Sequence, residues 1–61
     1  MLPDEVYQTL INAGFQVAIA GQTFVVSLIT RRVSVAEVEA ALNYPEGVWY
    51  ESVGGTVIVH C

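Results

Sequence analysis

Lysine is absent from this chain, and Arg31 and Arg32 are its only cationic side chains. Against six Asp and Glu they leave a formal charge of −4 at pH 7. Nucleic-acid binding needs several Lys or Arg contacts to phosphate, so this balance argues against it. Cysteine is nearly absent too. Cys61 stands alone, which excludes an intramolecular disulfide. One His and one Cys, adjacent at positions 60 and 61, cannot complete a four-ligand zinc site, so no metal or cofactor is expected. No apolar run approaches the ~20 residues of a membrane span, and nothing resembles a signal peptide. The expected setting is the cytoplasm, away from the membrane.

Charge of either sign is scarce. Charged residues are 13% of the chain, against about 25% in an ordinary globular protein. With 61 residues, the chain is expected to form one domain, residues 1–61, near the lower size limit for folding alone. Folds this small usually add disulfides, metals or oligomerisation, and here oligomerisation or a partner is what remains. Part of the surface must be apolar, and large apolar patches mark interaction sites.

What is present is a regular alternation of patterns. Residues 1–14 read as a helix: Pro3, Asp4 and Glu5 suit a first turn, and Val6, Tyr7, Leu10 and Ile11 recur at helical spacing. Gly14 is placed to end it. Residues 15–20 alternate, Gly21-Gln22 suits a two-residue type II′ turn, and residues 23–30 are rich in β-branched and aromatic side chains. That turn sets Ile19 opposite Phe24 and Val17 opposite Val26, all on one side. Arg31-Arg32-Val33 leads to a second helix, which Ser34 and Glu37 open as a capping box. Pro45 disfavours a helical Tyr44, so the helix ends before it. Gly47–Cys61 reads as a second hairpin turning at Gly54-Gly55, with Tyr50 opposite Val59 and Trp49 opposite His60.

The halves resemble each other. Glu5-Val6 and Leu10 match Glu37-Val38 and Leu42, and Gly14, Gly21, Thr23 and Val26 match Gly47, Gly54, Thr56 and Val59 after a one-residue shift. The expected fold is α+β: duplicated αββ units (αββαββ, pseudo-repeats 4–28 and 35–61). These form one four-stranded antiparallel sheet with two helices packed on one face. The most continuously apolar strands, Phe24–Ile29 and Val57–Val59, suit the centre and give strand order 1-2-4-3. The face away from the helices would then carry Val25, Ile29, Trp49, Val53 and Ile58 among polar residues, and with His60 these mark it as the interaction surface.

Candidate chemistry is thin. His60 and Cys61 are strand neighbours pointing to opposite faces, so they cannot act as a nucleophile pair. The acids show no pairing with a His or a ligand companion. Glu51, on the semi-apolar face, is read as a charge that discourages edge pairing. Arg31-Arg32-Val33-Ser34 has the form of a basophilic kinase site, although a capping Ser explains it, and the Arg pair can meet a carboxylate or phosphate on a partner. Gly54-Gly55 lacks the Lys-Ser/Thr and the helix of a phosphate loop.

Leu10-Ile11-Asn12-Ala13-Gly14-Phe15, followed by a strand, Gly21 and a strand, resembles the opening αββ of HicA-type mRNA interferases over residues 4–28. That family places a catalytic His shortly after the turn glycine. Gln22-Thr23 stand there in this chain, so the resemblance extends to the supersecondary arrangement and not to nuclease activity.

The sequence therefore predicts a non-enzymatic protein-binding module without catalytic residues or cofactors. It is expected to bind itself or a larger protein as a regulator or inhibitor. A phage or mobile-element accessory protein, such as an inhibitor of a bacterial defence system, has this size. The expected contact residues are Trp49, Ile58, His60, Val25, Ile29, Arg31 and Arg32. A toxin–antitoxin or double-stranded-RNA-binding module is the alternative, supported only by Arg31 and Arg32.

Overall fold

The computed structural model describes residues 1–61. The chain runs α1 (Pro3–Asn12), β1 (Gln16–Ala20), β2 (Thr23–Ser27), α2 (Val35–Ala41), β3 (Trp49–Val53) and β4 (Thr56–His60). The strands form one four-stranded antiparallel sheet in the order β1-β2-β4-β3. The expected strand order is thus the observed one.

Turn chemistry fixes both hairpin registers. In the first, Gly21 has φ +63° and Gln22 does not enter positive φ, as a type II′ turn requires. Ile19 then pairs with Phe24 and Val17 with Val26. In the second, Gly54 and Gly55 both have positive φ, +56° and +84°, which a type I′ turn demands. Tyr50 pairs with Val59 and Trp49 with His60. The hairpins join through β2 and β4, where Phe24 meets Val59, Val25 meets Ile58 and Val26 meets Val57.

The helices begin and end by named devices. Glu5 reaches back to accept the Leu2 N–H at 3.2 Å. The capping box of α2 is complete: the Glu37 N–H donates to Ser34 Oγ at 3.3 Å and the Ser34 N–H to Glu37 Oε2 at 2.9 Å. Both helices close with the paired bonds of a Schellman motif. Gly14 N–H donates to the Ile11 carbonyl and Phe15 N–H to Leu10; Asn43 N–H donates to Ala40 and Tyr44 N–H to Glu39. Thus Asn43, with φ +61°, performs for α2 what Gly14 performs for α1. Gly47 matches Gly14 in its positive φ and in standing two residues before its strand, but it does not close the helix. Tyr44 follows at φ +52°; Pro45 excludes the right-handed helical region for it, and the chain turns through the left-handed one.

The core contains nine buried residues, all apolar. Val6 and Leu10 come from α1, Val38 and Leu42 from α2 and its cap, Val33 from the connector, and Phe24, Val26, Val57 and Val59 from the central strands. Each central strand therefore alternates one buried side with one half-exposed side. Tyr7 leans on Phe24 with ring centroids 5.9 Å apart.

Two expected bounds were too generous. β2 stops at Ser27 rather than Thr30, because its pairing with β4 ends at Val26–Val57 and its pairing with β1 at Ser27–Gln16. The chain then leaves the sheet so that the Val33 N–H can donate to the Gly55 carbonyl at 2.9 Å. α1 is likewise shorter than residues 1–14 at both ends.

Leu10 is fully buried beneath α1, whereas Ile11 beside it is 37% exposed. Leu10→Ala should cost about 2–5 kcal/mol. A domain of this length holds only about 3–9 kcal/mol in total. Urea unfolding should therefore find Leu10→Ala near the edge of stability and Ile11→Ala close to wild type.

Candidate functional site

The sheet side opposite the core is built from alternate residues of all four strands. One row across it runs Ala18–Val25–Ile58–Glu51, and the next runs Ala20–Thr23–His60–Trp49. None of these side chains is buried: Val25, Ile58, Thr23 and His60 are half-exposed, while Trp49, Glu51 and Val53 are exposed. Trp49 is 57% exposed although it is the largest apolar side chain in the protein.

Trp49 is nevertheless held in place. Its ring stacks on that of His60, with centroids 3.7 Å apart and planes 6° from parallel. His60 Nε2 in turn lies 2.6 Å from Glu51 Oε1. These three residues form an ordered strip at the β3 edge: an aromatic platform, an imidazole beneath it, and a carboxylate orienting the imidazole. The strip corrects the expectation that the acids have no His companion. Glu51 stands opposite Ile58, and His60 is two residues further along the same strand and side, so diagonal neighbours meet. The hairpin register, not the spacing along the chain, contained the signal.

Four of the seven expected contact residues meet on this side: Val25, Trp49, Ile58 and His60. Ile29 does not. It lies beyond the end of β2 in the connector, 83% exposed. Arg31 and Arg32 are also in the connector, and Arg31 is engaged. The Arg31 guanidinium grips Glu37 through two bonds, 2.9 Å to Oε2 and 2.7 Å to Oε1. The Arg32 stem runs across Gly55, where an added Cβ would come within 3.2 Å of Arg32 Cγ. Glu37 also accepts from the Ser34 hydroxyl at 3.2 Å, so a phosphate on Ser34 would be forced against a carboxylate.

Cys61 lies on the other side of the sheet from His60, at an open groove of about 500 Å³ lined by Pro3, Asp4, Ile19, Gly21, Gln22 and Phe24. Burial raises its thiol pKa, which opposes formation of the nucleophilic thiolate. The Tyr50 hydroxyl is shielded from water without a hydrogen-bond partner, and burial, then Glu39 and Cys61, raise its pKa. No group of three His, Cys, Asp or Glu side chains is placed to hold a metal ion. No helix is long and apolar enough to cross a membrane.

Comparison with protein-family models, curated proteins and solved structures finds no match to this chain. The functional reading therefore rests on the geometry.

The Arg31–Glu37 contact has a measurable consequence. The Arg31 bond, followed by the Ser34 N–H, lowers the Glu37 carboxyl from its ordinary 4.5 to about 2. A carboxyl lowered in the folded state contributes stability above its unfolded pKa and loses it as pH falls through the folded one. Glu37→Gln should thus be less stable than wild type at neutral pH. The gap should narrow between pH 4.5 and about 2, read from urea midpoints of both proteins.

Proposed function

We propose that this protein is a binding module rather than an enzyme, and that it associates with a second copy of itself through the outward side of its sheet. The observation that carries this is the company Trp49 keeps. A single, ordered, mostly exposed tryptophan shares an uncovered sheet side with Val25, Val53 and Ile58. Antiparallel sheets leave one side in water when that side is polar, and here Val25, Trp49, Val53 and Ile58 interrupt the polar residues. Aromatic side chains fixed in place lose little entropy on contact, which suits them to anchor interfaces.

The same reading takes the chain as two αββ units whose helices cover a common sheet face. Residues thirty-three apart, such as Gly21 and Gly54, or Thr23 and Thr56, occupy corresponding turn positions. The burial sequence of β1 repeats in β3 and that of β2 in β4. Thr23 Oγ1 donates to the Ala20 carbonyl as Thr56 Oγ1 does to Val53. Under this relation Val25 corresponds to Ile58, its own cross-strand partner, so a local two-fold passes between them at the centre of the outward side.

The size of the surface limits the affinity. Four strands of five residues span roughly 300 Å² of sheet, well under the ~800 Å² per partner of a standard interface. The association through this side alone is therefore weak and reversible. A role as regulator or inhibitor follows if a larger protein presents the same apolar chemistry and outcompetes the second copy.

Trp49→Ala and Ile58→Asp should each shift the protein toward monomer in light scattering across a concentration series, with the fold retained in circular dichroism. Because each copy carries a charge of −4, added salt should favour association by screening repulsion, opposite to its effect on phosphate binding. Unchanged assembly in both variants would remove this reading.

A further inference from the structure

We propose that β1 is a second and separate self-association element, in which the β1 strands of two copies pair antiparallel about Ala18 to give one continuous eight-stranded sheet. The strand order leaves β1 and β3 as the two edges. Edge strands expose unpaired backbone groups, which proteins ordinarily blunt with charge, proline or a bulge. β1, Gln16-Val17-Ala18-Ile19-Ala20, has none of these: it carries no charge and no proline, and all five residues pair with β2 without interruption.

The two edges differ at one decisive position. Ala18 and Glu51 each stand third in an edge strand, and each pairs with the middle residue of a central strand, Val25 or Ile58. Antiparallel pairing of β3 with its copy about this position would set Glu51 directly against Glu51 of the second copy, and like charges directly opposed destabilise a sheet. Pairing of β1 sets Ala18 against Ala18, two small neutral residues. The protein thus has one open edge and one closed edge. Pairing through β1 stops at two copies instead of growing into a ribbon.

Backbone and side chains both fit such a pair. In a two-residue hairpin the residues flanking the turn, here Ala20 and Thr23, form a hydrogen-bonded pair, and the alternation places Val17 and Ile19 with their N–H and C=O groups turned away from β2. About a two-fold at Ala18, Val17 of one copy faces Ile19 of the other, and each of these pairs exchanges both bonds. Ile19 is 67% exposed on the core-facing side, where nothing within the chain covers it. Opposite Val17 of a second copy it gains an apolar neighbour. The outward side is left free, so this contact does not depend on the one proposed above.

The test is amide hydrogen exchange at Val17 and Ile19, followed with concentration on the intact protein and combined with sedimentation equilibrium. In the monomer these two amides face water. In the paired form their exchange should slow by roughly tenfold or more as concentration rises. Ile19→Pro removes one outward N–H at a site where an edge strand tolerates proline, and Ile19→Lys adds a charge to the edge. Both should restore fast exchange at Val17 and abolish the β1 contact. Fast exchange at Val17 and Ile19 in a sample that sediments as dimer would overturn the proposal, as would a monomer up to the solubility limit. The two contacts separate cleanly. Dissociation by Ile58→Asp with the β1 amides always open leaves only the outward side standing. Dissociation by Ile19→Pro but not by Ile58→Asp leaves only β1.

Discussion

The pairing of β2 with β4 is the constraint on which the rest depends. A single hairpin with one helix is shorter than the ~40 residues below which a chain rarely folds alone. Joined in this register, the central strands place Phe24, Val26, Val57 and Val59 on one side, and these share one buried cluster with Val6, Leu10, Val38 and Leu42. A slip of one residue would turn Val57 and Val59 away from Phe24 and Val26 and split the core. The same register fixes the other side with no further freedom, since Val25 and Ile58 must then face away from the core as partners. Core and candidate surface are thus two consequences of a single pairing.

Around that pairing the chain is tied by short-range devices. The type II′ and type I′ turns hold each hairpin, and Gly14 and Asn43 stop the helices. The long connector is pinned at both ends of its charged stretch, by Val33 to the Gly55 carbonyl and by Arg31 to Glu37. Arg31 is therefore committed to α2 through Glu37, while the Arg32 stem crosses the second turn and its guanidinium pairs with no acid.

Much of this was legible in the sequence because two-residue turns determine register. Once Gly21-Gln22 and Gly54-Gly55 are read as turns, every cross-strand pair within a hairpin follows, and the most apolar strands fall at the centre. What the sequence withheld depended on contacts between segments. The Arg31–Glu37 grip needs the path of a connector, whereas the Glu51–His60 diagonal lies within one hairpin and follows from its register. Ile29 reads as strand from its β-branched neighbours, yet the five-residue β4 offers it no partner. α2 ends before Tyr44, as Pro45 requires, and Asn43 takes the left-handed position that glycine usually fills.

The most direct test of this account is native-state amide exchange across all four strands, measured on the monomer at low concentration. If β2 and β4 bind the two hairpins into one cooperative unit, the hydrogen-bonded amides of both central strands should form the slowest class. They should exchange with a common free energy equal to that of global unfolding by urea. If one hairpin instead exchanges at a much lower free energy while the other stays protected, the halves are separable and the central pairing is not what holds the fold together.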